Sequence, residues 1–239
     1  MATALRSRPL DAGMMGAAPV SATSRTTRLL LVGRCDYAET VARMREFTAV
    51  RDPDTPDELW ALEHPPVFTL GRAARAEHLH DPRAIPVLST DRGGQVTYHG
   101  PGQLVVYTLI DLTRAGLSVR ALVNGLEQSI IIVLARHGLN SNRKVGAPGV
   151  YVAEQKIASL GLRIQRGRSF HGLSLNVHMD REPFGYIDPC GFPGLEVTDM
   201  HTEGVTGITC HSMALEVTRE LVETLGLCSA QISDTWETS

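Results

Sequence analysis

At 239 residues the chain is long enough for one large domain, or two small ones, with a proper core. Its formal net charge of -3, with 43% hydrophobic and 21% charged residues, is ordinary for a soluble globular protein and leaves no electrostatic footprint for nucleic acid as a main ligand. No apolar run approaches the roughly 20 residues of a membrane span, and the widely spaced Cys35, Cys190, Cys210 and Cys228 match neither a disulfide framework nor a zinc site, as in a reduced cytosolic compartment.

Met1 to Thr27 is rich in Ala, Ser, Thr, Arg and Gly, has Asp11 as its single acid, and lacks the apolar block of a secretory signal. It reads as a disordered extension, residues 1–27, of a bacterial cytoplasmic protein, with a mitochondrial transit peptide as the alternative. One folded domain over residues 28–228 and a C-terminal tail over 229–239 complete the expected organisation.

Regular patterning starts at Arg28 to Gly33, a strand. Tyr37 to Val50 predicts a helix with Asp36 as N-cap and Val41, Met44 and Phe47 on one face. Two short strands, Glu58 to Glu63 and Val67 to Leu70, are separated by His64-Pro65-Pro66. Gln95 to Tyr98 and Gln103 to Asp111 predict strands around a Gly-Pro-Gly turn, and the second is apolar at nearly every position, which suits a strand covered on both faces. Leu122, Leu126, Ile130 and Val133 recur at helical spacing within Ser118 to His137, and Gly138 ends that helix. Strands at Gly149 to Ala153, Lys156 to Gln165 and Ser169 to Val177 follow, then a helix from about Ser212 to Leu225. Strands outnumber helices and cluster, so the fold class is α/β of the α+β type, a mixed sheet with helices packed on it. Cys35 and Cys228 read as packing residues, and Cys210 as the start of a helix.

Three features carry chemistry. Arg92-Gly93-Gly94-Gln95-Val96-Thr97-Tyr98-His99-Gly100-Pro101-Gly102-Gln103 packs four glycines into twelve residues, enough to let main chain approach a ligand closely or simply to make a loose hairpin. It is not a phosphate-binding P-loop, because no Gly-Lys-Ser/Thr follows. Cys190 stands between Pro189 and Gly191, which restrict the backbone to a tight turn. Lys156 opens Lys156-Ile157-Ala158-Ser159-Leu160-Gly161. A lone Pro-Cys-Gly more often marks a buried inert cysteine than a nucleophile. An ammonium beside it changes that, since a neighbouring cation favours the reactive thiolate. His78 and His80 sit in a charged loop without an acid pair at ligand spacing, and no metal site is expected.

These segments, together with Phe170-His171-Gly172-Leu173-Ser174-Leu175-Asn176 and Glu63-His64-Pro65-Pro66-Val67-Phe68-Thr69-Leu70-Gly71-Arg72, closely resemble the lipoyl(octanoyl) transferases, which are related in fold to biotin and lipoate protein ligases. The resemblance runs from about Leu30 to Leu225. It implies an octanoyltransferase catalytic domain that moves an octanoyl group from octanoyl-acyl carrier protein to a lysine of lipoyl domains of 2-oxoacid dehydrogenase E2 subunits or of the glycine-cleavage H protein. By position it implies Cys190 as the thioester-forming nucleophile and Lys156 as its charged partner. It also implies an acyl site lined by Arg92, Gly93, Gly94, Gln95, Val96, Thr97, Tyr98 and His99, by Ser159, Leu160 and Gly161, and by Gly172, Leu173 and Ser174. Ser174 stands where the family more often has alanine, which bears on chain-length preference. The implied enzyme is a monomer without ATP or metal, its donor carrying phosphopantetheine, and it binds neither nucleic acid nor membrane.

The residues support a ping-pong reaction in which Lys156 relays the proton and His99 or His171 positions groups. A backbone N–H near Gly191, or in the glycine-rich segments, is a candidate oxyanion donor. An ATP-dependent lipoate or biotin-type ligase and a catalytically silent binder of lipoyl domains are the competing readings. Cys190 and Lys156 together favour the transferase.

Overall fold

The computed structural model describes residues 26–228 and 230–236, so most of the expected N-terminal extension lies outside the described residues. In chain order the strands are β1 (Thr27–Arg34), β2 (Glu58–Glu63), β3 (Val67–Leu70), β4 (Val87–Ser89), β5 (Val96–His99), β6 (Gln103–Leu109), β7 (Ser141–Lys144), β8 (Ala147–Val152), β9 (Gln155–Gln165), β10 (Arg168–Asn176) and β11 (Ala230–Ser233). The helices are α1 (Tyr37–Val50), α2 (Leu112–Ala115), α3 (Val119–Arg136) and α4 (Cys210–Thr224).

Eight strands form a mixed sheet in the order β11-β1-β2-β6-β10-β9-β8-β7, and β4-β3-β5 form a smaller one. Alternation along the central strands divides the core between the faces of the large sheet. Leu29, Leu31, Leu59, Ala61, Leu104 and Val106 join the stripe Leu122, Leu126, Ile130 and Val133 of α3 and Met213, Val217 and Leu221 of α4. Their neighbours Leu30, Trp60, Leu62, Val105 and Tyr107 pack on the other face with Tyr37, Val41 and Met44 of α1. Strand β6 is thus covered on both sides, as its nearly continuous apolar run predicts. At about 1.5–3 kcal/mol for each fully buried aliphatic side chain, this double burial dominates the stability of the sheet.

Capping chemistry sets several boundaries. Asp36 accepts from Glu39 N at the start of α1. Asp111 is the cap of α2 and not a strand residue, which ends β6 at Leu109. Thr209 forms a capping box with Ser212, so α4 begins at Cys210, ahead of Ser212. Residues 230–236, expected to be a tail, add β11 parallel to β1 and lay Trp236 edge-on to Trp60, 4.6 Å between ring centroids. Cys228 is exposed, contrary to the packing role expected of it, because it follows the end of α4 on the surface. Among the described residues no helix is long and apolar enough to cross a membrane.

Candidate active site

The sheet register joins sequence segments far apart in the chain. Strands β9 and β10 pair with Ser159 opposite Ser174, Leu160 opposite Leu173 and Gly161 opposite Gly172. Both glycines are needed for close approach. A Cβ on Gly172 would lie 2.0 Å from the Val106 carbonyl oxygen of β6, and one on Gly161 3.1 Å from Arg92 Cδ and 3.2 Å from Gly93 O. The glycine-rich loop can therefore lie on β9, where Gly93 N donates to Leu162 O at 2.8 Å. Arg92 holds the loop from within: its guanidinium donates to Thr69 O, Thr69 Oγ1, Gly93 O and Gln95 O.

Cys190 projects from the tight turn at Pro189–Gly191, with its own φ at +59°. A non-glycine residue in the left-handed region costs on the order of 1–3 kcal/mol unless its surroundings impose it, and here they do. Gly191 N donates to Asp188 O and Phe192 N to Pro189 O. Asp188 N donates to His78 O, while the Asp188 carboxylate pairs with His78 Nδ1 at 2.9 Å and His80 Nε2 at 3.1 Å. Those two imidazoles hold the Asp188 carboxyl below the usual carboxylate range. The Gly191 amide, one of the candidate oxyanion donors, is thus already engaged within the turn.

Lys156 is 2% exposed, and its Nζ lies 3.0 Å from Cys190 Sγ. The ammonium also faces the Tyr151 ring, 5.5 Å from its centroid. Gly149 presses on the lysine stem, where a Cβ would come within 2.5 Å of Lys156 Cε. Gly149 is held in turn by the buried Glu127 of α3, whose Oε1 accepts from Gly149 N at 2.9 Å while Oε2 pairs with Arg143 Nε at 2.9 Å. Glu127 thus ties helix α3 to the lysine.

A cavity of ≈ 400 Å³ opens beside this pair. It is lined by Arg92, Gly93, Gly94, Gln95, Val96, Thr97, His99, Lys156, Ser159, Leu160, Gly161, Gly172, Leu173, Ser174 and Cys190, so the structure brings nearly all the expected site residues together. Tyr98 is the exception. It alternates to the opposite side of β5 and packs with Phe68 and Phe184. The wall also includes Tyr37, Val105, Tyr107, Val123, Pro148, Leu162 and Phe192, which no motif marked. The even-numbered offset of Val105 and Tyr107 along β6 is the one signal that could have placed a pair of them on a common face.

Burial keeps the histidines at and behind the inner wall neutral. Burial pushes His99 down to about 3 and His64 down to about 4. His99 Nδ1 donates to Gln103 Oε1 at 2.6 Å, because Gln103 Nε2 is already donating to Asn176 Oδ1. His64 donates through Nδ1 to Cys35 O and accepts the Tyr107 hydroxyl at Nε2, both at 2.7 Å. His171 is also depressed by burial, against the opposing pull of Asp91 at 3.0 Å from its Nε2. The other thiols are not set up for attack: burial and Glu63 push Cys210 up to about 12, and burial raises Cys35. Among the described residues no group of three or more His, Cys, Asp or Glu side chains could hold a metal ion.

A model of the lipoyl protein ligase A/B catalytic domain matches residues 36–222. The chain belongs to this family. It is 59% identical over 174 residues to the octanoyltransferase of Alkalilimnicola ehrlichii, covering 73% of this chain and 81% of that one. It is 51% identical over 206 residues to the octanoyltransferase of Marinomonas sp., covering 86% and 96%. The protein is therefore an enzyme of this acyltransferase group. Among solved structures it resembles lipoate-protein ligase A bound with ATP, with TM-score 0.72, 16% identity and coverage of 89% and 90%. It also resembles biotin protein ligase from Aquifex aeolicus in complex with biotin and ATP, with TM-score 0.52, 12% identity and coverage of 84% and 70%. These two likenesses establish the shared α+β fold.

Proposed function

We propose that the protein transfers an octanoyl group from octanoyl-acyl carrier protein to a lysine of lipoyl domains, including those of 2-oxoacid dehydrogenase E2 subunits and the H protein, through a thioester on Cys190 and without ATP or metal. The observation that carries this reading is the Lys156 ammonium 3.0 Å from the Cys190 sulfur at the wall of a ≈ 400 Å³ cavity. The names of the relatives supply the acyl group.

In the first half-reaction the Cys190 thiolate, paired with the ammonium, attacks the donor's thioester carbonyl. The tetrahedral intermediate collapses with loss of the phosphopantetheine thiolate, which takes a proton from Lys156. One thioester is exchanged for another, so no activation by ATP is required. In the second half the acceptor amine attacks the octanoyl carbonyl on Cys190, Lys156 in its neutral form takes the amine proton, and the Cys190 thiolate leaves. Deacylation restores the ion pair and an amide replaces a thioester. The cavity size suits an alkyl guest, falling within the about 300–1,000 Å³ of small-molecule pockets. Six methylenes at about 0.8 kcal/mol each give an octanoyl chain roughly 5 kcal/mol of apolar burial to draw on.

Intact-protein mass spectrometry after mixing with octanoyl-acyl carrier protein, without ATP, tests the proposal. A hydroxylamine-labile octanoyl adduct in the wild type and none in Cys190→Ala is expected. Transfer to a lipoyl domain only when free octanoate and ATP are supplied would make the protein a ligase instead.

A further inference from the structure

The acyl-transfer reading leaves one charge without a partner: the oxyanion that forms when Cys190 adds to a thioester carbonyl. The two amides that follow the nucleophile in sequence do not supply it. Gly191 N donates to Asp188 O at 2.8 Å and Phe192 N to Pro189 O at 3.1 Å, both inside the turn that sets the cysteine's conformation. Lys156 directs its ammonium at the sulfur.

The side chain of Gln95 lies against this turn. A Cβ placed on Gly191 would lie 3.0 Å from Gln95 Cγ, 3.1 Å from Cδ and 3.3 Å from Nε2, so the carboxamide covers the residue that follows the nucleophile. Its orientation is fixed from behind, because Oε1 accepts from Arg75 N at 3.2 Å. With the oxygen end held by an N–H, the other end of the amide is the NH2 donor pair. That nitrogen has no hydrogen-bond partner among the described residues, although Gln95 lines the same cavity as Cys190 and Lys156. The backbone of Gln95 is held as well, its carbonyl accepting from Gly71 N and from Arg92 Nη2. A carboxamide anchored at its oxygen, with its donors facing the reacting sulfur's turn, is the arrangement an oxyanion donor requires.

We propose that Gln95 Nε2 donates to the oxyanion of the tetrahedral intermediate in both half-reactions, an inference that rests on the thioester reading of Cys190. As the Sγ–C bond forms, the carbonyl π pair moves onto oxygen and takes a hydrogen bond from Nε2. As the pair returns, the donor thiolate is expelled in the first half and Cys190 Sγ in the second. Gln95 itself exchanges no proton.

Two rates on the same cysteine test the assignment. Octanoyl-Cys190 formation from octanoyl-acyl carrier protein passes through an oxyanion. Alkylation of Cys190 by iodoacetamide, followed by peptide mass spectrometry, needs the thiolate but forms no oxyanion. Gln95→Met keeps much of the side-chain volume and removes the donor. Gln95→Glu keeps the shape and the acceptor for Arg75 N but removes the donor. Each is expected to slow octanoyl-Cys190 formation about 10²–10³-fold, the usual loss for one oxyanion donor, with alkylation of Gln95→Met within about twofold of wild type. Equal losses in both rates for Gln95→Met would overturn the assignment, since Gln95 would then only shape the cysteine turn. Octanoylation within about twofold of wild type in both variants would overturn it too. A wild-type protein that is alkylated at Cys190 but never octanoylated would instead fail the thioester reading itself, and the inference with it.

Discussion

Acidification should unfold this protein through its buried histidines, well before its carboxylates titrate. His64 and His99 are 0% and 7% exposed, and burial pushes their rings down to about 4 and about 3. An unfolded histidine titrates near 6.5. The folded state therefore binds fewer protons than the unfolded one, so these groups give full stability above about pH 6.5 and lose it as pH falls toward 4 and 3. Between pH 7 and pH 5 each ring removes about 2 kcal/mol, or roughly 4 kcal/mol for the pair, a large part of the 5–15 kcal/mol typical of a whole protein. His171, also depressed by burial, acts in the same direction. Asp91 and Asp188, held low by their histidine and arginine partners, lose stability only below the unfolded carboxylate range near 3.9, outside this window. Urea unfolding followed by the fluorescence of Trp60 and Trp236 at pH 7, 6 and 5 reads the slope. His64→Gln, which removes one titrating ring, should cut the loss between pH 7 and 5 by about 2 kcal/mol whatever its stability at pH 7. A wild-type stability that stays level over that range, or a His64→Gln slope equal to wild type, would refute the placement of neutral rings behind the cavity.

Lys156→Ala should lower acyl transfer by at least 10²-fold through both half-reactions, measured by single-turnover octanoylation and by transfer from preformed octanoyl-enzyme. A fully active variant would exclude the pair. Glu127→Ala leaves the Gly149 N–H without its acceptor at about 1–3 kcal/mol, and should slow iodoacetamide alkylation of Cys190 several-fold by loosening the wall against Lys156. An unchanged alkylation rate would show that Lys156 is held without it. Gly172→Ala sets a Cβ 2.0 Å from the Val106 carbonyl oxygen and should unfold or severely destabilise the sheet in a thermal melt. Gly161→Ala meets Arg92 Cδ at 3.1 Å, so it should fold and show its effect mainly in octanoylation rate.

Much of the fold was legible because its long elements carry clean periods. The apolar stripe of α3, the Asp36 cap of α1 and the nearly continuous apolar run of β6 each state their environment in single residues. What escaped was short or polar. Strand β4 has three residues, and β7, Ser-Asn-Arg-Lys, is an edge strand whose polarity suits an unpaired side and hides its period. Strand β11 forms because β1 presents an edge for Ala230 to Ser233, a long-range pairing with no local signature. The motif places Tyr98 in the site, yet a strand must alternate, and with Thr97 and His99 facing the cavity it turns toward Phe68 and Phe184.

The site was legible in its motifs and not in its supports. Lys156 and Cys190 are 34 residues apart, and their contact depends on residues that motif reading passes over. Glu127 is one acid in the middle of an apolar helix, where a carboxylate carries no label for what it binds. Its function follows only once β8 brings Gly149 to it. His78 and His80, set aside for want of metal-ligand spacing, serve a different purpose by holding Asp188 and with it the strained turn at Cys190. A left-handed cysteine on a loose loop would relax to a commoner conformation and swing its sulfur away from the ammonium. The clamp on Asp188 and the wall on Lys156 hold the two partners separately, which is why a 3.0 Å pair can persist between a half-buried turn and a buried lysine.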